Sequence, residues 1–499
     1  MSTLELIGIG FANVFQPFNF LVICFGLAVG IVAAALPGIS GTMAVVLLIP
    51  LTFGMTPIQG IVMLSSLYLG AQYGGSITAI LLKIPGTSAA AATTLDGYPM
   101  AQKGQAGKAL GGALMGSTVG GIFGTILLFF CVPPLARMAI EFGSAQYFAL
   151  AIFGLSVVTS LTSKNLAKGF VAMFIGLFIG TVGIDSITGT ARFTFGVTLL
   201  RDGIHFVPLL IGLFAVAEVF NSVASRIGQP LPSREATLQL PSLKEMINLK
   251  STILRSSSIG TFIGALPGAG GTIASFIAYN EAVRWSKEPE KFGTGVLEGV
   301  VAPESANNAA AAGAMIPLLA LGIPGSATTA VMLGAFQLHG IRPGPMLLTQ
   351  NADLVYTVFV GMFITNFILL AMGVYGVKLF ARAVLLRYEI LGPVVLILAS
   401  VGSFAIRGSL LDIQIMFIAG ILGYLMDMAK FPMSPIVLGV ILGPMAEAGL
   451  RRALIVTRGS MLPILTDPIV FILLLLSALS FLSPFISEML KKRGQGRTA

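Results

Sequence analysis

Four short motifs place proline beside glycine inside long apolar runs. They are Leu36-Pro37-Gly38-Ile39-Ser40-Gly41-Thr42, Ile84-Pro85-Gly86-Thr87-Ser88, Leu266-Pro267-Gly268-Ala269-Gly270-Gly271-Thr272 and Ile323-Pro324-Gly325-Ser326-Ala327. Proline removes a backbone donor, glycine lets the chain turn, and a following hydroxyl caps a new helix start. Each motif therefore predicts a break that opens a half-helix. The N-terminus of a half-helix offers free N–H groups and the positive end of its dipole, which suits a carboxylate; the carbonyls ending the preceding half suit a cation. The candidate substrate-binding residues are Gly38, Ser40, Gly41, Thr42, Pro85, Gly86, Thr87, Ser88, Gly268, Gly270, Gly271, Thr272, Pro324, Gly325, Ser326, Thr328 and Thr329. Each hydroxyl among them is a direct ligand or a helix cap, and capping is the commoner role.

A second group is polar at the edge of a charge-free run. Glu304-Ser305-Ala306-Asn307-Asn308 puts a carboxylate, a hydroxyl and two amides together. Polar groups at membrane depth point to a ligand, ion or proton path. The competing reading makes Glu304 the first-turn acid of an interfacial helix. In the other half, Tyr68, Gln72 and Tyr73 adjoin Gly74-Gly75-Ser76, with Tyr68 and Gln72 on one helical face. Asn307, Asn308, Glu304, Ser305 and Tyr73 form the candidate cation or polar site. Lys83 either faces an anionic substrate or snorkels from the end of a span. Asp96, in Leu95-Asp96-Gly97-Tyr98-Pro99, reads as a turn residue near the cytoplasmic surface.

The elements that must hold these groups follow from composition. Of 499 residues, 56% are hydrophobic and 10% charged, against about 25% charged in soluble domains, and mean hydropathy is +0.94. A soluble globular protein is excluded. Residues 6–82, 109–136, 142–163, 256–280, 305–341 and 354–377 contain no Lys, Arg, Asp or Glu, and a spanning helix needs ~20 apolar residues. The expectation is an all-α polytopic membrane protein with about 11 or 12 transmembrane helices plus broken helices or re-entrant hairpins. Cys24 and Cys131 have no metal spacing, no cofactor motif is present, and no metal is implied beyond a transported Na⁺. The net charge of +9 sits in connectors and in the tail from Lys491 to Arg497. Beside apolar spans this is the positive-inside pattern rather than a nucleic-acid surface, and it puts the C-terminus in the cytoplasm. The N-terminus has no basic region of a cleavable signal peptide.

The motifs recur in the same order on both sides of a polar connector, which indicates duplication. The expected organisation is a first transmembrane repeat over 1–228, a polar connector over 229–252, a second repeat over 253–460, an extra helix over 461–490 and a basic cytoplasmic tail over 491–499. Inverted halves would place a binding site at their interface near the bilayer midplane. That topology puts Arg451, Arg452 and Arg458 outside, against the charge rule, and the conflict stays open here. Gly26/Gly30, Gly116/Gly120 and Gly176/Gly180 have the spacing of close helix contacts. A bulky residue at Gly86 or Gly325 is expected to fill the cavity and stop transport with insertion intact.

Three stretches together, Lys83 to Thr87 with Thr93 to Ala101, Ala302 to Ala310, and Leu321 to Ala330, resemble TctA, the large membrane subunit of the bacterial tripartite tricarboxylate transporters. The resemblance covers almost the whole chain. It implies a multi-pass protein of the bacterial inner membrane that imports a carboxylate such as citrate. It also implies two partners, a small transmembrane subunit and a periplasmic substrate-binding protein, and a coupling cation, Na⁺ or H⁺. An elevator built on the paired breaks is the mechanism this reading favours. The competing classes are a passive carboxylate channel and an intramembrane enzyme. Against the enzyme, the chain has two histidines and neither His-Glu-x-x-His nor Gly-x-Ser-x-Gly. Gly104-Gln105-Ala106-Gly107-Lys108 is not a Walker A sequence, so energy must come from a gradient or a partner.

Overall fold

The computed structural model describes residues 2–36, 39–162, 165–225, 238–383 and 388–495. In chain order the helices are α1 (Thr3–Val14), α2 (Pro17–Ala35), α3 (Gly41–Leu48), α4 (Pro57–Leu82), α5 (Thr94–Gln102), α6 (Ala106–Ile140), α7 (Ser144–Thr162) and α8 (Leu166–Gly180). They continue with α9 (Phe206–Leu210), α10 (Ala217–Ser225), α11 (Leu243–Asn248), α12 (Lys250–Ala265), α13 (Gly270–Trp285), α14 (Glu298–Leu321), α15 (Ala327–Leu338) and α16 (Leu347–Gln350). The last are α17 (Ala352–Ala383), α18 (Tyr388–Arg407), α19 (Leu410–Met428), α20 (Ser434–Val456), α21 (Leu462–Leu465) and α22 (Pro468–Gln495). The only strands among the described residues are a two-residue pair, Gly183–Ile184 against Ala191–Arg192. This is an all-α polytopic architecture. Five described helices are long and apolar enough to cross a membrane: Pro17–Ala35, Ala106–Ile140, Phe206–Ala224, Ala352–Gly376 and Leu410–Met428.

The chain divides into two compact units. The first comprises residues 1–137, 207–265 and 269–424. At its centre lie α4 and α14, buried from Gly60 to Leu81 and from Gly299 to Ala320 respectively. Both are rich in small and hydroxyl residues on every face, a composition that suits a helix surrounded by protein. α2 packs on α4 because Gly26 and Gly30 meet the backbone at Met63 and Leu67. α12 packs on α14 in the same manner, with Gly260 and Gly264 against Ala306 and Ala310. Gly116, Gly120 and Gly124 of α6 lie on α14 at Val301, Ser305 and Ala309. Without side chains at these positions the backbones approach closely, and dispersion between them replaces the hydrophobic drive that lipid does not supply.

The contacts recur at corresponding positions of the two halves. Gly74 on α4 meets Ile31, and Gly313 on α14 meets Thr261. Gly86 sits against the Ala34 carbonyl and Gly75, while Gly325 sits against the Gly264 carbonyl and Ala314. A Cβ at Gly86 would therefore enter backbone of α2, and one at Gly325 backbone of α12. The cavity expected beside Gly86 and Gly325 is replaced by backbone: these glycines are where two helices touch.

The second unit comprises residues 138–206, 266–268 and 425–499. Here α20 packs on α7 and α8, with Gly176 and Gly180 of α8 against Ile436 and Val440. An ionic cluster ties the strand pair to α20. Arg451 bonds Asp185 at 2.6 Å and Glu447 at 3.1 Å, and Arg192 bonds Glu447 at 2.6 Å. The Arg451 guanidinium and the amides of Ile187 and Thr188 hold the Asp185 carboxyl well below the usual carboxylate range. Arg451, awkward for the charge rule, thus has two carboxylate partners.

In the first unit the start of α6 is tied to α11 by Lys108 and Glu245, 2.5 Å apart. The Lys108 ammonium, the Ser242 amide and then the Ser242 hydroxyl lower the Glu245 carboxyl to about 2, from an ordinary 4.5. A depressed folded-state value means that this contribution to stability is complete above pH 4.5 and is lost as pH falls toward 2. Glu245→Gln should therefore flatten the loss of thermal stability on acidification across that window, read by scanning calorimetry in detergent; a slope equal to wild type would discount the pair. Gly86→Ala or Gly325→Ala should each destabilise the protein by about 1–3 kcal/mol through overpacking, and an unchanged melting temperature in both would mean that the two helix contacts are slack.

Candidate functional site

At each of the four motifs one helix ends and another begins. α2 stops at Ala35, and α3 restarts behind Ser40, whose hydroxyl accepts the Met43 amide at 3.1 Å. α4 stops at Leu82 with Lys83 left-handed at φ 61°, and a short 3-10 helix, Ser88–Ala91, starts behind Thr87, which accepts the Ala90 amide at 3.3 Å. α12 stops at Ala265, and α13 restarts at Gly270 with no side-chain cap. α14 ends on left-handed Gly322, and α15 starts with a reciprocal cap: Ser326 accepts the Thr329 amide at 3.2 Å, and Thr329 accepts the Ser326 amide at 2.8 Å. Ser40, Thr87, Ser326 and Thr329 are thus helix caps.

The remaining hydroxyls join the halves crosswise. Thr42 in the first turn of α3 hydrogen-bonds Thr328 in the first turn of α15 at 2.7 Å. Thr272 in the first turn of α13 hydrogen-bonds Ser88 at 2.8 Å. Each pair brings together the first break of one half and the second break of the other. Ser88 is exposed and Thr42 and Thr272 half-buried, so neither pair is sealed inside the first unit. Tyr68 reinforces the α15 start through Ser326 at 3.2 Å. Gly41 and Gly271 lie beside the crossing, next to Ala71 and Asn307. Pro85 is exposed and Pro324 buried. Gly268, at φ +74°, belongs to the second unit and packs on Val158 there. Gly38 lies outside the described residues. Lys83 points over the Tyr98 ring, 5.6 Å from its centroid.

Glu304 lies well inside α14, which begins at Glu298, and it is fully buried. The interfacial reading is therefore replaced: the acid in the first turn is Glu298, bonded to Thr252 at 2.5 Å. Three hydroxyls surround the Glu304 carboxyl. Ser76 of α4 donates to Oε1 at 2.5 Å, Thr93 donates to the same oxygen, and Ser117 of α6 donates to Oε2 at 3.0 Å. Among the described residues no lysine, arginine or histidine bonds it. Neighbouring polar atoms are left open: the Tyr73 hydroxyl, the Ser305 hydroxyl, Asn307 Oδ1 and both amide atoms of Asn308 have no hydrogen-bond partner. A concentration of open buried polar atoms is what a ligand-binding interior carries. The sequence puts Ser76 in the polar patch beside Tyr73 and Thr93 in a family stretch without connecting either with Glu304, and Ser117 carries no signal at all in its charge-free run.

Asp96 differs from expectation. It is fully buried in α5 and accepts the Tyr279 hydroxyl at 2.8 Å and the amides of Gly293, Gly295 and Val296 at 2.7–3.1 Å. Rather than turning a loop, it fastens the segment that leads into α14.

The profile of the tripartite tricarboxylate transporter TctA family matches residues 20–438. The chain belongs to the TctA family. It is similar to the uncharacterized 52.8 kDa protein in the TAR-I ttuC' 3' region of Agrobacterium vitis, at 39% identity over 94% of this chain and 93% of that one. It is also similar to an uncharacterized protein in the TAR-II ttuC' 3' region of the same organism, at 38% identity over 47% of this chain and 98% of that one. No solved structure matches. Membership supports a tricarboxylate transporter subunit, and the apolar helices support a multi-pass membrane protein.

The crosswise hydroxyl pairs are testable by cross-linking. With Cys24 and Cys131 replaced, Thr42→Cys with Thr328→Cys, and Ser88→Cys with Thr272→Cys, should form disulfides under mild oxidation, since oxygens 2.7 and 2.8 Å apart leave the Cβ atoms within bridging range. After cleavage at a protease site engineered into the 229–252 connector, the halves should stay joined until reductant is added. Separation of the halves without reductant in both variants would refute the crossing.

Proposed function

We propose that this chain is the large transmembrane subunit of a tripartite, binding-protein-dependent secondary transporter of the bacterial inner membrane. It imports tricarboxylates or related carboxylates, driven by a cation gradient, and works beside a small transmembrane subunit and a periplasmic substrate-binding protein. The observation that carries the reading is the pair of crosswise junctions, Thr42 with Thr328 and Ser88 with Thr272. Each offers hydroxyls and free first-turn amides at adjoining helix starts, a combination that favours an anion. Two such points, one per pair, match a substrate bearing more than one carboxylate. The second group, Glu304, Ser305, Asn307, Asn308 and Tyr73, is the cation or polar site.

The repeated contacts favour duplicated, inverted halves over 1–228 and 253–460, separated by the 229–252 connector and followed by an extra helix over 461–490 and the basic tail. Residues 1, 37–38, 163–164, 226–237, 384–387 and 496–499 of these segments lie outside the described residues. Inverted halves with breaks at their interface suit alternating access, and an elevator in which the broken segments carry the substrate is the form proposed here.

The test is uptake of labelled citrate into proteoliposomes containing this chain and its small partner, with the binding protein outside and an Na⁺ gradient compared with a pH gradient. Accumulation that needs a gradient and the binding protein is expected. Thr42→Val and Thr272→Val should each raise the citrate concentration for half-maximal uptake about ten-fold, the loss of one hydrogen bond to a charged group, ~1.4 kcal/mol. Unchanged half-saturation in both variants would remove the junctions from the substrate path.

A further inference from the structure

We propose that Glu304 is a proton-binding site whose occupancy is relayed through Ser76 and the Gln72 carbonyl to Asn307 of α14, whose side chain faces the start of α13. The proposal rests on the transport reading above and names the driving cation as H⁺.

The argument begins with the number of hydrogens available. The Ser76 hydroxyl has one, yet two acceptors lie within reach: Glu304 Oε1 at 2.5 Å and the Gln72 carbonyl at 3.5 Å. With the carboxyl ionised, Ser76, Thr93 and Ser117 all donate to it. When a proton arrives on Oε1, the new O–H donates to Ser76 Oγ, and Ser76 turns its own hydrogen to the Gln72 carbonyl. One proton enters and no other bond to hydrogen is made or broken. In neither state is a buried group of this set left without a partner, which is the condition for a titratable carboxyl in a protein interior.

The relay reaches the helix start because the Gln72 carbonyl already accepts Asn307 Nδ2 at 3.4 Å. In the protonated state two donors share that oxygen, and the hold on the Asn307 amide loosens. Asn307 Oδ1 has no partner and faces Gly271, one residue before Thr272. Protonation at Glu304 is thereby felt where the substrate junction begins.

The surroundings favour a proton. The three nearest hydroxyls each direct a hydrogen at the carboxyl, an arrangement that answers to a proton gained or lost there. The titratable group of α4 that faces Glu304 is Tyr73; Tyr68 is bonded to Ser326. On the other elements packed against α14, Asp96 is taken by Tyr279 and three amides, Lys108 by Glu245, and Glu281 by Arg284 and Trp285. Arg255 lies over the Trp285 ring, Lys250 is exposed at the start of α12, and Glu298 is bonded to Thr252.

Two measurements test this. In the reconstituted transporter without Na⁺, an acid-outside gradient should drive citrate accumulation. Glu304→Gln should cut that accumulation at least ten-fold and make citrate exchange, which needs no gradient, independent of pH. Independently of transport, infrared difference spectra of the purified full chain should show a protonated-carboxyl band growing on acidification and missing from Glu304→Gln. Should Glu304→Gln not assemble, Ser76→Ala serves instead: it should keep the band and lose at least ten-fold of the gradient-driven accumulation. Wild-type accumulation that needs Na⁺ and ignores pH, accumulation by Glu304→Gln equal to wild type, or the same infrared band in both proteins would overturn the proposal. A wild-type protein that exchanges no citrate would instead overturn the transport reading, with the infrared band still deciding the proton site.

Discussion

Backbone amides and carbonyls inside a membrane must find partners within the protein. Every feature of the first unit follows from applying that constraint to four broken helices. At the second break the Gly86 amide donates to the Gly75 carbonyl at 3.1 Å, and Gly86 itself rests on the Ala34 carbonyl. That arrangement requires α2, α4 and the break to be within backbone contact of one another, and only glycine permits it. The fourth break repeats it with Gly325, Gly264 and Ala314. The glycines at the breaks are therefore a packing requirement, and not a sign of looseness.

Burying the breaks has a second consequence. The helices that hold them, α4 and α14, are surrounded by other helices, so their side chains are free to be polar if they satisfy one another. The hydroxyl pairs across the breaks meet that condition, as do the three donors on Glu304. The group formed by Tyr73, Ser305, Asn307 and Asn308 does not, and leaves several atoms open. A protein interior tolerates such a group where a ligand completes it for part of a cycle. The same helices thus supply both the closed contacts that hold the unit together and the open ones that give it something to bind.

Much of this was legible in the residues, and the parts that were not share a cause. Composition and charge-free runs fixed the all-α polytopic class. Proline, glycine and hydroxyls act on the backbone within a few residues, so the breaks and the caps at Ser40, Thr87, Ser326 and Thr329 could be read locally. The competing interfacial reading of Glu304 stays open in the sequence because nothing local says that α14 begins six residues earlier. Ser117, Thr93 and Ser76 reach it from 187 to 228 residues away in sequence. Asp96 was read as a turn because Asp-Gly-Tyr-Pro is a turn signal. Its helix, α5, is instead held by amides about 200 residues away, a long-range arrangement that overrides the local preference. The surroundings of Gly86 and Gly325 are hidden for the same reason: which atoms face them is a property of the packing.

The two buried carboxylates differ in the kind of partner they have, and that difference separates a fastening from a moving part. Three of the four groups on Asp96 are backbone amides, which only donate and cannot rotate. They fix one arrangement and thereby fix the segment entering α14. Every group on Glu304 is a hydroxyl, which rotates and can donate or accept. Such a shell fits more than one state of the carboxyl without moving a backbone atom. A carboxylate needed only to hold helices together would gain most from the first kind of partner, as Asp96 does. That Glu304, equally buried and equally central, is given the second kind is the strongest physical reason to assign it a changing occupancy.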